Sequence, residues 1–371
     1  MKKVFLFLLA ASLTFFTIIF SVSAFSVRKE YLYKVAMVTG YADVDDNSFN
    51  QQTYEGCKEW CNKNGIPFSY FKPASNSDVE RLKSTELAIE RGYNVLFLPG
   101  YNFAPIIAQM SSRYSDVTFI GIDIAPSDFP SDYTPTENIF CFSYHEEQAG
   151  YLAGYAAVKE GYRKHGFLGG MEAEVVTRFG YGYAQGMNDA AVELGLTEKM
   201  DLNFVYSGQF YGDNDITKYM DNWYKTGTEI VFACGGSIYT SAALAAKDNG
   251  GKVIGVDVDQ SIIMDKDYGK GICLTSAMKG IAATCKMSLE LMSQGVWEEG
   301  SFARLGLISS TDLESNYVGL PIDTWSMNNF TIDEYKVVVD EIINGTRAID
   351  PSTDKVPSYE HVNIRLLGNI K

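Results

Sequence analysis

The segment Asp43-Val44-Asp45-Asp46-Asn47-Ser48-Phe49-Asn50 gathers three carboxylates, two amides, a hydroxyl and an aromatic ring within eight residues. Such a set can hold a divalent cation, cap a helix or grip a polar, ring-bearing solute. An EF-hand loop starting at Asp43 needs Gly at its sixth place and Glu at its twelfth, where this chain has Ser48 and Tyr54. Calcium binding of that type is not expected. An N-cap for a helix opening near Phe49 and a ligand-facing loop are both open, and compatible. In Ile254-Gly255-Val256-Asp257-Val258-Asp259-Gln260, Asp257 ends a buried strand, as a helix cap or as an acceptor for ligand hydroxyls. Thr275-Ser276-Ala277-Met278-Lys279 follows the next strand, and Lys279 is either a solvated charge or a cleft residue partnering Asp257 and a ligand oxygen. Gly235-Gly236-Ser237 follows a strand and opens a helix. Its N–H groups suit an anion or a sugar, but a turn with Ser237 as the cap is the leading reading.

Gly180-Tyr181-Gly182-Tyr183-Ala184-Gln185-Gly186 is not a dinucleotide fingerprint, because its third glycine comes one place late and it lies inside a helical segment. The chain has no Gly-x-Ser-x-Gly elbow and no Walker loop. His145, His165 and His361 do not stand at zinc-finger or metalloprotease spacing to any Cys or His. Nothing specifies catalysis, and no cofactor is called for. The one enzyme reading, a distant alternative, is metal-dependent hydrolysis by Asp45, Asp46 and Asp257.

These groups need elements to position them. From Tyr33 onward, short β-branched runs alternate with segments of helical period. Strands are expected at 33–39, 68–71, 95–98, 117–122 and 139–142, with helices at 52–64, 78–91 and 103–114 between them. The pattern restarts with a helix at 146–159 and strands at 166–168, 202–206, 230–233, 253–256 and 272–275, separated by helices at 178–194, 215–226 and 241–249. A helix at 280–294, a strand near 303–308 and a helix at 332–343 follow. The fold class is therefore α/β, two similar parallel-sheet units joined by crossing strands, with a ligand cleft at the strand carboxyl ends.

Composition bounds the partners. Lys plus Arg number 31 against 46 Asp plus Glu, a formal net charge of −15, which argues against a nucleic-acid or anionic-membrane surface. Lys2, Lys3, an apolar run from Val4 to Val22 and the small residues Val22-Ser23-Ala24 read as an export signal over residues 1–24. Cleavage is the first reading and an uncleaved N-terminal anchor the second, since the run nearly reaches spanning length. The protein is expected outside the cytoplasm, at the outer face of the membrane or in a periplasm. The first cysteine is Cys57, so no lipid-bearing N-terminal Cys can form, and the six cysteines are expected as free core thiols.

Taken in order, Asp45-Asp46-Asn47-Ser48-Phe49-Asn50, Glu147-Gln148-Ala149-Gly150-Tyr151-Leu152-Ala153-Gly154, the Ile254–Gln260 segment and the Thr275–Lys279 segment resemble the motifs of the basic membrane protein family, substrate-binding proteins of ABC importers typified by purine nucleoside receptors. The resemblance runs from about Tyr33 to Ile343. It implies a type I periplasmic-binding-protein fold with a first lobe of residues 33–143 plus 276–300, a second of 144–275 plus 301–350, and a tail of 351–371. It also implies a nucleoside, of the purine type first, delivered to permease subunits. By the same resemblance Phe49 stacks on the base, Asp46 and Asn50 bond it or its surroundings, and Asp257 and Lys279 hold the ribose hydroxyls. Phe210, in Ser207-Gly208-Gln209-Phe210, is the candidate for the other face of the base, with Asp123 and Gly236 completing the set. The chain departs from the family in placing Ile238-Tyr239 after Gly235-Gly236-Ser237, and in lacking the lipid Cys. A same-fold receptor for a flavin or a sugar, or a signalling sensor, is the alternative.

Overall fold

The computed structural model describes residues 32–296 and 299–370; the export-signal segment 1–24 lies outside the described residues. The first α/β unit runs β1 (Val35–Val38), α1 (Phe49–Asn64), β2 (Phe68–Phe71), α2 (Asp78–Glu90), β3 (Val95–Pro99), α3 (Ala104–Ser111), β4 (Thr118–Ile122) and β5 (Ile139–Tyr144). The second runs α4 (Glu146–Lys159), β6 (Lys164–Gly169), α5 (Glu174–Glu193), β7 (Met200–Tyr206), α6 (Asn214–Lys225), β8 (Ile230–Cys234), α7 (Tyr239–Asn249), β9 (Lys252–Asp257), α8 (Ser261–Tyr268) and β10 (Cys273–Lys279). The chain then makes α9 (Ile281–Ser293), β11 (Ser301–Leu305), β12 (Val318–Gly319), α10 (Ile332–Ile343) and β13 (Val362–Asn369).

Two sheets result, ordered β11-β5-β4-β3-β1-β2 and β12-β10-β9-β8-β6-β7-β13. Every strand pairing is parallel except β10 with β12. The central strands β1, β3, β5 and β8 are buried along their whole length, as parallel strands covered by helices on both faces must be. Both sheets share the order 2-1-3-4-5 in their own strands, so each has a switch point, between β1 and β3 in one and between β6 and β8 in the other. Ligands of open α/β sheets bind outside the strand ends there. The chain crosses between the lobes three times: from β5 to α4, from β10 to α9, and from β11 to β12.

Several expectations need correction. Ser301–Leu305 pairs in parallel with Phe140–Tyr144 and so belongs to the first sheet, not to the second lobe. Residues 276–279 stay with the second sheet, because β10 runs on beside β9 past Thr275 to Lys279. Residues 362–369 are not a tail but an edge strand, β13, paired with β7. The helix α8 was not anticipated. All six cysteines are buried and unpaired.

The glycine run that failed as a nucleotide fingerprint does mechanical work instead. A Cβ on Gly182 would overlap the Glu147 carbonyl oxygen, and one on Gly186 that of Tyr151. Gly150 and Gly154 reciprocate against the carbonyls of Phe179 and Tyr183. Glycines four apart on α4 and α5 thus let the two helix backbones touch.

Candidate ligand-binding cleft

Among the described residues only three non-glycine residues have positive φ, Asn47 (49°), Asp123 (62°) and Asp257 (66°), and all three lie at strand-end loops facing the cleft. Asn and Asp enter the left-handed region more readily than other side chains, but it still costs energy that the surrounding structure must supply. Asp123 directly follows β4 and Asp257 closes β9. In each case a buried apolar strand delivers a carboxylate to the cleft.

Lys279, at the end of β10, joins them. Its Nζ donates to both oxygens of Asp123, at 2.9 and 2.8 Å, and stands 3.5 Å from Glu146 Oε1. The Tyr144 and Phe179 rings flank the ammonium at 5.5 and 5.1 Å. Asp257 instead accepts a hydrogen bond from Ser48 Oγ at 2.6 Å. Burial pushes the Asp123 carboxyl up to about 7 against the pull of Lys279, because Glu146 and Asp257 add negative charge. Burial likewise raises Asp257, opposed by Lys279 and the Ser48 hydroxyl. For Lys279, burial disfavours the charge but Asp123, Glu146 and Asp257 outweigh it and hold the ammonium above its ordinary range. Glu146 is held below the carboxylate range, since Lys279 and Arg178 overcome its burial.

Besides Arg304 of β11, which pairs with Glu147 of α4 beside the crossing strands, contacts across the cleft tie the first lobe to the second: Lys279 to Asp123, Ser48 to Asp257, Gln260 Nε2 to the Asn47 carbonyl at 3.3 Å, and Ser127 Oγ to Glu174 Oε2 at 3.1 Å. A cavity of about 630 Å³ opens beside them, bounded by Asp257 and Lys279, by Gln51 and Gln52 of α1, and by Lys266 of α8.

The remaining candidates occupy separate places. Asp46 accepts from the backbone N–H groups of Ser48, Asn50 and Gln51 and from Asn50 Nδ2, all at about 3.0 Å. Four donors fill a carboxylate's acceptor sites, so in this geometry Asp46 caps α1. Asn50 ties the same turn to the Gly40 N–H. Together they aim the first turn of α1, where Phe49 packs half-buried on the core. Phe210 follows β7 and covers the switch-point glycines: a Cβ on Gly235 would come within 2.9 Å of its ring, and one on Gly236 within 2.6 Å of its carbonyl. Ser237 donates its N–H to that carbonyl and makes no side-chain cap bond to α7, which corrects the cap reading. Ile238 and Tyr239 are buried in the second lobe's own core.

Two further expectations change. Asp257 is not a helix cap; Asp259 receives the Ser261 N–H and hydroxyl at the start of α8. Lys279 pairs with Asp123 rather than Asp257. Sequence reasoning missed Ser48, Gln260, Arg178 and Glu146 as members of the cleft. Glu146 was within reach, because it follows β5 as Asp123 follows β4. Among the described residues no three His, Cys, Asp or Glu side chains gather as a metal site, and no helix is long and apolar enough to cross a membrane.

Residues 33–352 match the family described as "ABC transporter substrate-binding protein PnrA-like". The chain is 28% identical over 292 residues to the ABC transporter nucleoside-binding protein BmpA of Lactococcus lactis, covering 74% of this chain and 79% of that protein. It is 28% identical over 322 residues to basic membrane protein B of Borreliella burgdorferi, covering 81% and 84%. A solute-binding protein of an ABC transporter system from Aeropyrum pernix superposes with a TM-score of 0.68 at 17% identity, covering 87% of this chain and 94% of that one. One from Conexibacter woesei gives 0.66 at 18%, covering 86% and 99%. The fold is that of the type I periplasmic binding proteins.

Proposed function

Because the chain belongs to the PnrA-like family of ABC transporter substrate-binding proteins, we propose that it captures a nucleoside, purines foremost, outside the cytoplasm and delivers it to the permease of an importer. The observation that carries this reading is the gathering of Asp123, Asp257 and Lys279 at three strand ends, with both carboxylates held in left-handed backbone. A buried carboxylate and a buried ammonium at the carboxyl ends of the strands suit the vicinal hydroxyls of a ribose, which both donate and accept. Phe49 and Phe210, from opposite lobes, supply aromatic faces for a base. The L. lactis relative, named a nucleoside-binding protein, supports the same ligand class. The lobes close on the ligand, and the closed shape is what the permease selects.

Equilibrium titration of the protein with a panel of ribonucleosides and deoxyribonucleosides tests this. Saturable binding well below millimolar, with purines tightest, is expected. Affinities no better than about millimolar, roughly 4 kcal/mol, for every nucleoside would sink it.

A further inference from the structure

Lys279 belongs to the second lobe, yet its two hydrogen bonds cross to Asp123 of the first. If the lobes part, those bonds break. The ammonium of this buried residue would then lose its partner while still lying against the Phe179 ring of its own lobe, and an uncompensated buried charge is strongly unfavourable. The second lobe carries a carboxylate in position to prevent this. Glu146, fully buried at the start of α4, has its Oε2 fixed by Arg178 Nε at 2.6 Å. Its Oε1 accepts no hydrogen bond, although it is buried. Lys279 Nζ stands 3.5 Å from that vacant oxygen, so less than about 1 Å of movement completes a charged hydrogen bond. Among the described residues the ion pairs of Lys279 are with Asp123 and Glu146, not with Asp257.

We propose that Glu146 is a positioning residue that takes over the Lys279 ammonium when the lobes separate, so that the lysine alternates between a first-lobe carboxylate in the closed state and a second-lobe carboxylate in the open one. The unsatisfied Oε1 is the cost of closure, and the unpaired Asp123, free to hydrate once exposed, is the cost of opening. Arg178 keeps Glu146 charged and aimed throughout. This rests on the lobe-closure part of the proposed function and is independent of which solute binds.

The test uses the full chain without solute, carrying Lys83→Cys in the first lobe and Lys218→Cys in the second. Both lysines are surface-exposed and the six native cysteines are buried, so spin labels can be placed at the two new thiols and their separation measured by pulsed electron resonance. Asp123→Asn removes the closed-state partner and should raise the open-to-closed ratio about tenfold or more, as loss of a hydrogen bond to a charged group implies. Glu146→Gln removes the open-state partner and should lower the ratio by a similar factor. Glu146→Asp, which keeps the charge, should restore most of the parent distribution. Shifts in the same direction, no shift with Glu146→Gln, or equal defects in Glu146→Gln and Glu146→Asp would each overturn the proposal. Should Glu146→Gln fail to fold, Lys279→Met decides: in that background Asp123→Asn should no longer open the lobes, and continued opening refutes the switch. A failed nucleoside reading would leave these solute-free shifts intact.

Discussion

Two regions bring backbone segments of this chain close together by opposite means. At the α4–α5 seam, Gly150, Gly154, Gly182 and Gly186 leave no Cβ where the two backbones touch, and carbonyl oxygens fill the space. In the inter-lobe cleft the approach is made by Ser48, Asp123, Asp257, Gln260 and Lys279, polar or charged groups, two of them on left-handed backbone. The seam also carries side-chain bonds between the two helices, Arg178 to Glu146 and Tyr151 to Asp189, but both helices belong to one lobe, so it is stable for as long as the lobe is folded. Each cleft contact can be exchanged for water or a ligand hydroxyl. A permanent joint is built from shape, and a separable one from groups that accept substitutes.

The largest expected effect is at the seam. Gly186→Leu drives a side chain into the Tyr151 carbonyl, which belongs to a rigid helix and cannot yield. It should cost at least about 3 kcal/mol of stability, read as a drop in the urea midpoint. A midpoint within experimental error of the parent would show that the helices can separate and that the seam is not a fixed joint.

The contrast also explains what was legible in the sequence. Asp257 was visible because a β-branched run stops at it and strand ends face ligand in an α/β lobe, Lys279 because it lies just past the next such run, and Asp123 through the family resemblance. Their partners were not, because Lys279 meets Asp123 across 156 residues and Ser48 meets Asp257 across 209, and no local pattern encodes such pairs. Asp46 read as a ligand residue and a cap with equal force; its four donors are all local and identify the cap. The segment of α8, Ser261–Tyr268, leaves Ile262 exposed and buries only Met264, so it lacks an apolar stripe to read. β13 alternates over Val362-Asn363-Ile364-Arg365-Leu366, a strand signal that sequence reasoning missed, and its ladder with β7 places it at the sheet edge. The glycines at seam spacing do not fit a dinucleotide fingerprint, and it is the helix–helix contact across the lobe that gives them their use.

Substitutions in the cleft should spare the fold and act on binding. Asp257→Ala removes a charged acceptor and should weaken ribonucleosides by roughly 1.5–3 kcal/mol, with a smaller loss for deoxynucleosides. Phe49→Ala removes a stacking face and should cost about 1–3 kcal/mol for any base, with little change in selectivity. Calorimetric titration of both ligand series separates the two. Equal weakening of ribo and deoxy ligands by Asp257→Ala would make that carboxylate a structural group.

Beside the seam, His165 gives a pH test. Its Nδ1 lies 2.8 Å from the Tyr183 hydroxyl of α5 and its Nε2 3.1 Å from the Tyr162 carbonyl, and burial lowers its pKa to about 4. The unfolded chain holds the proton more tightly, with a pKa near 6.5. The stability from the neutral ring is therefore fully present above pH 6.5 and is lost as pH falls toward 4, about 2 kcal/mol by pH 5. Urea titrations at pH 7 and pH 5 should show this loss in the parent and a smaller one in His165→Gln. The same slope in both proteins would place the acid sensitivity elsewhere.

The smallest effect, and the sharpest on the cleft, belongs to Ser48→Ala. The Ser48 hydroxyl is fully buried and donates across the lobes to Asp257 Oδ2. A carboxylate has about four acceptor sites, so this bond and a ligand hydroxyl can share Asp257 without competing. Losing it should weaken lobe closure and hence binding by about 1 kcal/mol, a few-fold in affinity, equally for ribo and deoxy ligands because the hydroxyl serves the lobes and not the sugar. The urea midpoint should stay within about 0.5 kcal/mol of the parent, since no seam contact is touched. Tighter binding by Ser48→Ala would mean that Ser48 occupies the place a ribose hydroxyl takes, and that closing the cleft and filling it are alternatives rather than partners.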